Sequence, residues 1–221
     1  MSSGLQSEED FRRLCQVLLK TSDRLRDGWS WERVQGSEEG YLKKTALRSV
    51  LIQSGDQDLK GSGSDSEDVA AGDDADTAAA SEGSTRALQY EYHILYSCSF
   101  MTPVLYFRAS TLANVSMSEG RSLSLEEVWS SVHPHFRSRL RHSPLTSITQ
   151  QEHPVLGQPF FMLHPCKTDH LMSALMHSAQ QQHRPVNYMV TWLSTVGPLL
   201  GLEVPLEYLT LQHPSTPRQR P

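Results

Sequence analysis

The 221-residue sequence predicts an α+β fold: an antiparallel meander with one helix before it and helices after it. Three observations predict it. Between Ser7 and Gly28, Phe11, Leu14, Leu18 and Leu25 fall at helical spacing, Tyr90 to Phe100 alternates at period two, and the chain after Thr168 returns to helical spacing through Leu171, Met172, Leu175, Met176 and Ala179. The strand patterns follow one another without intervening helices, so the sheet is antiparallel and not built from βαβ units.

Ser7-Glu8-Glu9-Asp10 opens the first helix as a capping box with Asp in the place of Glu. Val17 and Leu19 flank its apolar face, Cys15 lies beside it as packing, and Gly28 is expected to end it. Trp29, Trp31 and Val34 then trace a strand, Gly36 to Gly40 a turn, and Tyr41 to Ile52 a second strand.

From Ser54 to Arg86 the chain is Gly, Ser, Asp and Ala with almost no large apolar residue, too little to offset the entropy of ordering. It reads as a disordered acidic insert. Nine acids and one lysine between Asp56 and Glu82 give that stretch −8 of the chain's net −5, leaving +3 elsewhere. The expected organisation is therefore 1–53 as helix and first strands, 54–87 as the insert, 88–212 as the rest of the domain, and 213–221 as a flexible tail.

Tyr90, Tyr92, Ile94, Tyr96, Cys98 and Phe100 share one face of the clearest strand, which makes Cys98 a core thiol. Glu91, His93, Ser97 and Ser99 lie on the other face with Leu95. Met101-Thr102-Pro103 is read as the turn and Val104 to Ala109 as the returning strand. Ser124-Leu125-Glu126-Glu127 forms a second capping box, with Leu123 and Val128 placed as a hydrophobic staple and Pro134 interrupting the helix. A basic helical piece spans His135 to His142. Near the C-terminus, Pro185 is placed to open a helix bearing Tyr188, Met189, Trp192, Leu193 and Val196, which Gly197-Pro198 stops.

The stretch Pro154 to Thr168 organises the rest. Phe160 to Leu163 is a short buried strand, Pro165 forbids its continuation, and Thr168 and Asp169 suit a helix entry. Cys166 thus falls just ahead of a helix N-terminus beside Lys167, where the dipole and backbone N–H groups favour a thiolate and an oxyanion. The residues alone leave two readings open, a nucleophile or a buried structural thiol. A zinc site of His164, Cys166 and His170 has too few ligands.

Composition excludes several classes. Three cysteines do not make a disulfide framework, Met1 to Glu9 has no secretory pattern, and no apolar run reaches the ~20 residues that span a bilayer. No basic patch with interleaved aromatics points to nucleic acid. A reduced, cytoplasmic protein is expected.

Three strings go further. YEYHILYSCSFMTPVLYFRA (Tyr90–Ala109), QQEHPVLGQPFF (Gln150–Phe161) and LHPCKT (Leu163–Thr168) closely resemble the ubiquitin-carrier-like conjugating enzymes of autophagy, over essentially the whole chain except the insert. The resemblance implies a ubiquitin-carrier-like fold and a transferase that forms a cysteine thioester. Autophagy-related protein seven, an activating enzyme, would pass autophagy-related protein twelve to Cys166. A lysine of autophagy-related protein five would then attack the thioester without a separate ligase. The acyl group arrives activated, so no metal or diffusible cofactor is implied.

Ordinary ubiquitin carriers place a His-Pro-Asn segment ahead of the cysteine, and this sequence has none. His164 is the nearest candidate for an electrostatic or positioning role; the alternative is a loop histidine bonded to backbone. The resemblance makes Tyr96 a second candidate near the site, against core packing on its apolar face. Asp169 and Glu152 are placed to orient a lysine, or are a first-turn cap and a solvated acid. Two rival classes remain: a cysteine hydrolase, which needs a histidine partner for Cys166, and a catalytically silent carrier-like binding module, against which the cysteine itself speaks.

Overall fold

The computed structural model describes residues 5, 7–36, 39–52, 84–112, 120–132, 148–165, 168–182 and 186–208. Helix α1 (Glu8–Leu25) starts where the Ser7 hydroxyl accepts the Asp10 N–H at 3.1 Å, with Glu8, Glu9 and Asp10 at the positive end of the dipole. Its buried stripe is Phe11, Cys15, Leu18 and Ser22, so Cys15 is packing as expected, while Leu14 and Leu25 are only partly buried. The helix stops earlier than Gly28. Arg26 takes the left-handed conformation (φ 54°) that closes the last turn, and Gly28 (φ 90°) redirects the chain after it.

Six strands form one antiparallel sheet among the described residues: β1 (Ser30–Arg33), β2 (Gly40–Ile52), β3 (Ser84–Ser97), β4 (Thr102–Thr111), β5 (Ile148–Glu152) and β6 (Pro159–Leu163), in the order β1-β2-β3-β4-β6-β5. The β2–β3 ladder runs from Leu42↔Ile94 to Ile52↔Ser84. Strand β3 therefore begins inside the segment 54–87 read as insert. Ser84 to Ala87 carry no apolar signal, but a ladder needs only their backbone groups. The rest of that segment lies outside the described residues, as do the basic piece from His135 to His142 and the tail from His213.

The β3–β4 connection also differs from expectation. Tyr96 pairs with Pro103 and Ser97 with Thr102, so the turn is residues 98–101, closed by Met101 at φ 52°. Cys98 is consequently an exposed turn residue and not a core thiol, and Phe100 is 44% exposed. Period two fails because the chain reverses two residues before the apolar pattern ends. Strand β5 was not anticipated; Thr149, Gln150, Gln151 and Glu152 carry no apolar alternation, and pairing with β6 defines it.

The inner sheet face presents Tyr90, Tyr92, Ile94, Leu105, Phe107, Phe161 and Leu163 to one core shared with α1 and the C-terminal helices. Helix α2 (Leu125–Ser131) has the full capping box: the Ser124 hydroxyl accepts the Glu127 N–H and the Glu127 carboxylate accepts the Ser124 N–H. Leu123 and Val128 are both buried, and Val132 turns extended to end the helix. Helix α3 (Thr168–Gln181) buries Met172 and Met176 and leaves Leu175 partly exposed. Helix α4 (Tyr188–Val196) is opened by Asn187, whose side-chain oxygen accepts the Val190 N–H at 3.2 Å; Pro185, expected there, lies outside the described residues. Gly197-Pro198 tightens the helix into a 3₁₀ turn through Leu200 instead of stopping it. The Leu200 carbonyl accepts the Tyr92 hydroxyl at 3.0 Å and the Arg48 guanidinium at 2.7 Å, which ties that turn to the sheet. The α+β expectation, with a leading helix, an antiparallel meander and C-terminal helices, holds.

Candidate active site

Cys166 and Lys167 lie outside the described residues, so the site is defined by what stands on both sides of them. Leu163 ends β6 as an interior strand, paired to Leu105 of β4 and to Ile148 of β5. Pro165 has no N–H and cannot extend that ladder. It is buried, and its carbonyl accepts the Thr168 N–H at 3.0 Å as α3 begins. The step from β6 to α3 is thus anchored at both ends, and the four residues 164–167 connect them.

His164 is half-buried, and its ring makes a T-shaped contact with Phe100 (centroids 5.6 Å apart, 73° between planes). Phe100 and Met101 occupy the exposed β3–β4 turn. The Tyr96 hydroxyl donates to the Met101 sulfur at 3.5 Å, and the Tyr96 ring tilts on Phe11 of α1 at 5.9 Å. Burial first, then the nearby Cys98, Asp10 and Glu8, hold that phenol above its ordinary pKa. Tyr96 is therefore a neutral donor packed against the core edge. One turn bridges the two candidates, touching His164 through Phe100 and Tyr96 through Met101. Below it, Thr102 and Tyr188 approach within 3.4 Å, joining the hairpin base to the start of α4.

Glu152 is not part of this constellation. It pairs with Pro159, at the opposite end of the β5–β6 ladder from Ile148↔Leu163. The Asp169 side chain lies outside the described residues. Cys15 is buried, and burial pushes its thiol well above the usual value, which leaves it inert.

A polar cluster on the outer sheet face escaped sequence reasoning. His93 and His153 are both 0% exposed and 3.0 Å apart, and His93 reaches Glu91 at 2.8 Å. The pattern placed Glu91 and His93 together on the polar face; what it could not show is that the β5–β6 turn folds His153 over them. The available signal was His153-Pro154 followed by Gly157, a turn signature carrying a histidine.

The family model described as "Autophagocytosis associated protein, active-site domain" matches residues 10–207. The chain belongs to that family. It is 41% identical over 210 residues to "Ubiquitin-like-conjugating enzyme ATG10" of Homo sapiens, covering 91% of each chain. The Arabidopsis thaliana protein of the same name is 42% identical over 123 residues, 54% of this chain and 52% of that one. Among solved structures, that of KmAtg10 in solution aligns with a TM-score of 0.44 at 15% identity, over 90% of this chain and 98% of the other. This member of the family is a ubiquitin-like-conjugating enzyme of autophagy, a transferase, as the resemblance of its three strings implied. No helix among its described residues is long and apolar enough to cross a membrane.

Proposed function

We propose that Cys166 is the acyl carrier: it takes autophagy-related protein twelve from autophagy-related protein seven and delivers it to a lysine of autophagy-related protein five, in the cytoplasm. The near-full-length identity to the human conjugating enzyme carries this reading. In the first step the Cys166 thiolate attacks the thioester carbonyl at the modifier's C-terminus and the activating enzyme's thiolate leaves. In the second, the neutral lysine amine attacks the new thioester, the amine loses its proton, and the Cys166 thiolate leaves as an isopeptide bond forms. Thiols are good leaving groups near neutral pH, so the protein has to align the amine and support the tetrahedral oxyanion.

His164 is the residue we assign to that support, with Tyr96 acting behind it through the Phe100–Met101 turn. The anchored β6-to-α3 step supports the assignment, since it follows directly on paired Leu163 and holds His164 two residues before the cysteine in sequence. Mixing the protein with the activating enzyme, ATP and the modifier tests the reading. A protein–modifier adduct that collapses on adding thiol, and that is absent or thiol-resistant in Cys166→Ser, is expected. A thiol-sensitive adduct persisting in Cys166→Ser but lost in Cys98→Ala would move the carrier to the exposed Cys98. Release of free modifier from a reporter fusion without the activating enzyme would indicate a hydrolase.

A further inference from the structure

The ladder between β4 and β6 consists of Leu105↔Leu163, Tyr106↔Met162 and Phe107↔Phe161 and stops there. Beyond it, Arg108, Ala109, Ser122, Leu123, Gln158 and Pro159 line part of an open cleft of about 290 Å³. The leading end of β6 therefore has no backbone bond to β4. Its backbone is paired on the β5 side alone, through Gln151↔Phe160 and Glu152↔Pro159, and the Phe160 side chain packs against His93 (4.9 Å), His153 (4.8 Å) and the Arg108 guanidinium (5.2 Å).

The hydrogen bonds around those rings have one consistent direction. The Glu91 carboxylate only accepts, so His93 Nε2–H donates to it. His93 Nδ1 must then accept, and His153 Nε2–H donates to it across 3.0 Å. His153 Nδ1 in turn accepts the backbone N–H groups of Val155 and Leu156, both at 3.2 Å. Adding a proton to either ring sets two donors face to face, so the chain is complete only with both histidines neutral. The surrounding charged and titratable groups fix Glu91 rather than compete for the rings. Arg108 donates to its Oε2 at 3.0 and 2.7 Å and Lys43 lies 3.4 Å from its Oε1, while Tyr41 and Tyr106 pack on the imidazoles.

We infer that Glu91, His93 and His153 form a proton-ordered strut that sets the angle of β6 and so positions His164 for acyl transfer. The strut joins β3 to the Pro154–Gln158 turn and presses on Phe160, four residues before His164, about 13 Å along an extended strand. His93 and His153 are positioning residues, and the last step of the inference rests on the conjugation reading above.

Nitrogen-15 NMR of the full chain tests the chain of donors: both histidines should be neutral with the proton on Nε2, and an Nδ1–H form of either overturns the strut. For positioning, glutamine at 93 keeps one acceptor and one donor, whereas leucine keeps neither. Discharge of preformed thioester should slow ~10-fold in His93→Leu and return to within ~2-fold of wild type in His93→Gln. Equal rates in Leu, Gln and wild type, or equal losses in both variants, overturn the positioning role. If His93→Leu does not fold, His153→Asn decides, since its side-chain oxygen still accepts the turn amides but donates nothing to His93; normal discharge there refutes the proposal. A wild-type protein that loads no modifier would instead refute the Cys166 reading, and the tautomers would still decide whether the strut exists.

Discussion

His93 Nδ1 and His153 Nε2 are 3.0 Å apart, although 60 residues separate them in the chain. A proton added to His153 Nδ1 would face the Val155 and Leu156 amide donors, so the fold disfavours the charged form of this ring. Burial first, and then His93, holds the His153 pKa down, from 6.5 to about 4. A folded-state pKa below the unfolded one means that the fold favours the neutral ring. Stability from this group is complete above pH 6.5 and is lost as pH falls from 6.5 toward 4. Chemical unfolding measured across that window should show the decline, and His153→Asn should flatten it. An unchanged slope in the variant would show that His153 is not its source.

Glu91 gives a second window from the same cluster. Its hydrogen bond from His93, then those from Arg108, hold its carboxyl at about 2 against an ordinary 4.5. A depressed acid stabilises the fold above pH 4.5 and loses that contribution as pH falls from 4.5 through 2. Glu91→Gln should remove this lower window while leaving the His153 window in place. Titrating both variants by the same unfolding assay separates the two groups.

The inner sheet face predicts large packing costs. Ile94 and Phe107 are both 0% exposed within the shared core. Ile94→Ala should cost about 2–5 kcal/mol and Phe107→Ala about 3–5 kcal/mol, from lost transfer energy plus the cavity left behind. Wild-type stability in both variants would contradict the β3–β4 register.

A glycine pair makes a sharper comparison. Gly28 and Gly201 both have positive φ, at 90° and 65°. A Cβ on Gly28 would meet nothing within 4 Å, but one on Gly201 would fall 1.9 Å from the Arg48 guanidinium that holds the Leu200 carbonyl. Gly201→Ala should therefore destabilise more than Gly28→Ala, because it displaces Arg48 in addition to straining the backbone. Equal losses of thermal stability would mean that the Arg48 tether is dispensable.

Legibility in the sequence followed the range of the forces involved. The helix starts at Ser7 and Ser124 were readable because a cap is decided within three residues: both serines cap their helices, and Ser124 forms the full box. Ile94 was readable because alternation reports directly on which sheet face is buried. Cys98 and Phe100 were misplaced because the same alternation runs on past Ser97, while the left-handed Met101 reverses the chain there. The His93–His153 contact was invisible for a different reason. It joins β3 to the β5–β6 turn across 60 residues of sequence, and the residues involved look polar and solvated until β5 and β6 bring the turn over the outer sheet face. His164 was found from its place in LHPCKT, and its partner Phe100 emerged only from the fold.

The final prediction concerns His164. Transthiolation depends chiefly on where the activating enzyme places the two sulfurs, whereas attack by a lysine needs the oxyanion supported and the amine aligned. His164→Ala should therefore load normally and discharge slowly, by roughly 10-fold or more, which is about 1.4 kcal/mol of barrier. Single-turnover discharge of preformed thioester measures this apart from loading. Phe100→Ala provides the structural counterpart: removing the ring in T-shaped contact with His164 should slow discharge less than His164→Ala, because the imidazole remains but loses its support. If His164→Ala instead fails to load and whatever loads discharges at the wild-type rate, His164 belongs to the surface that meets the activating enzyme. The oxyanion role would then have to pass to another donor.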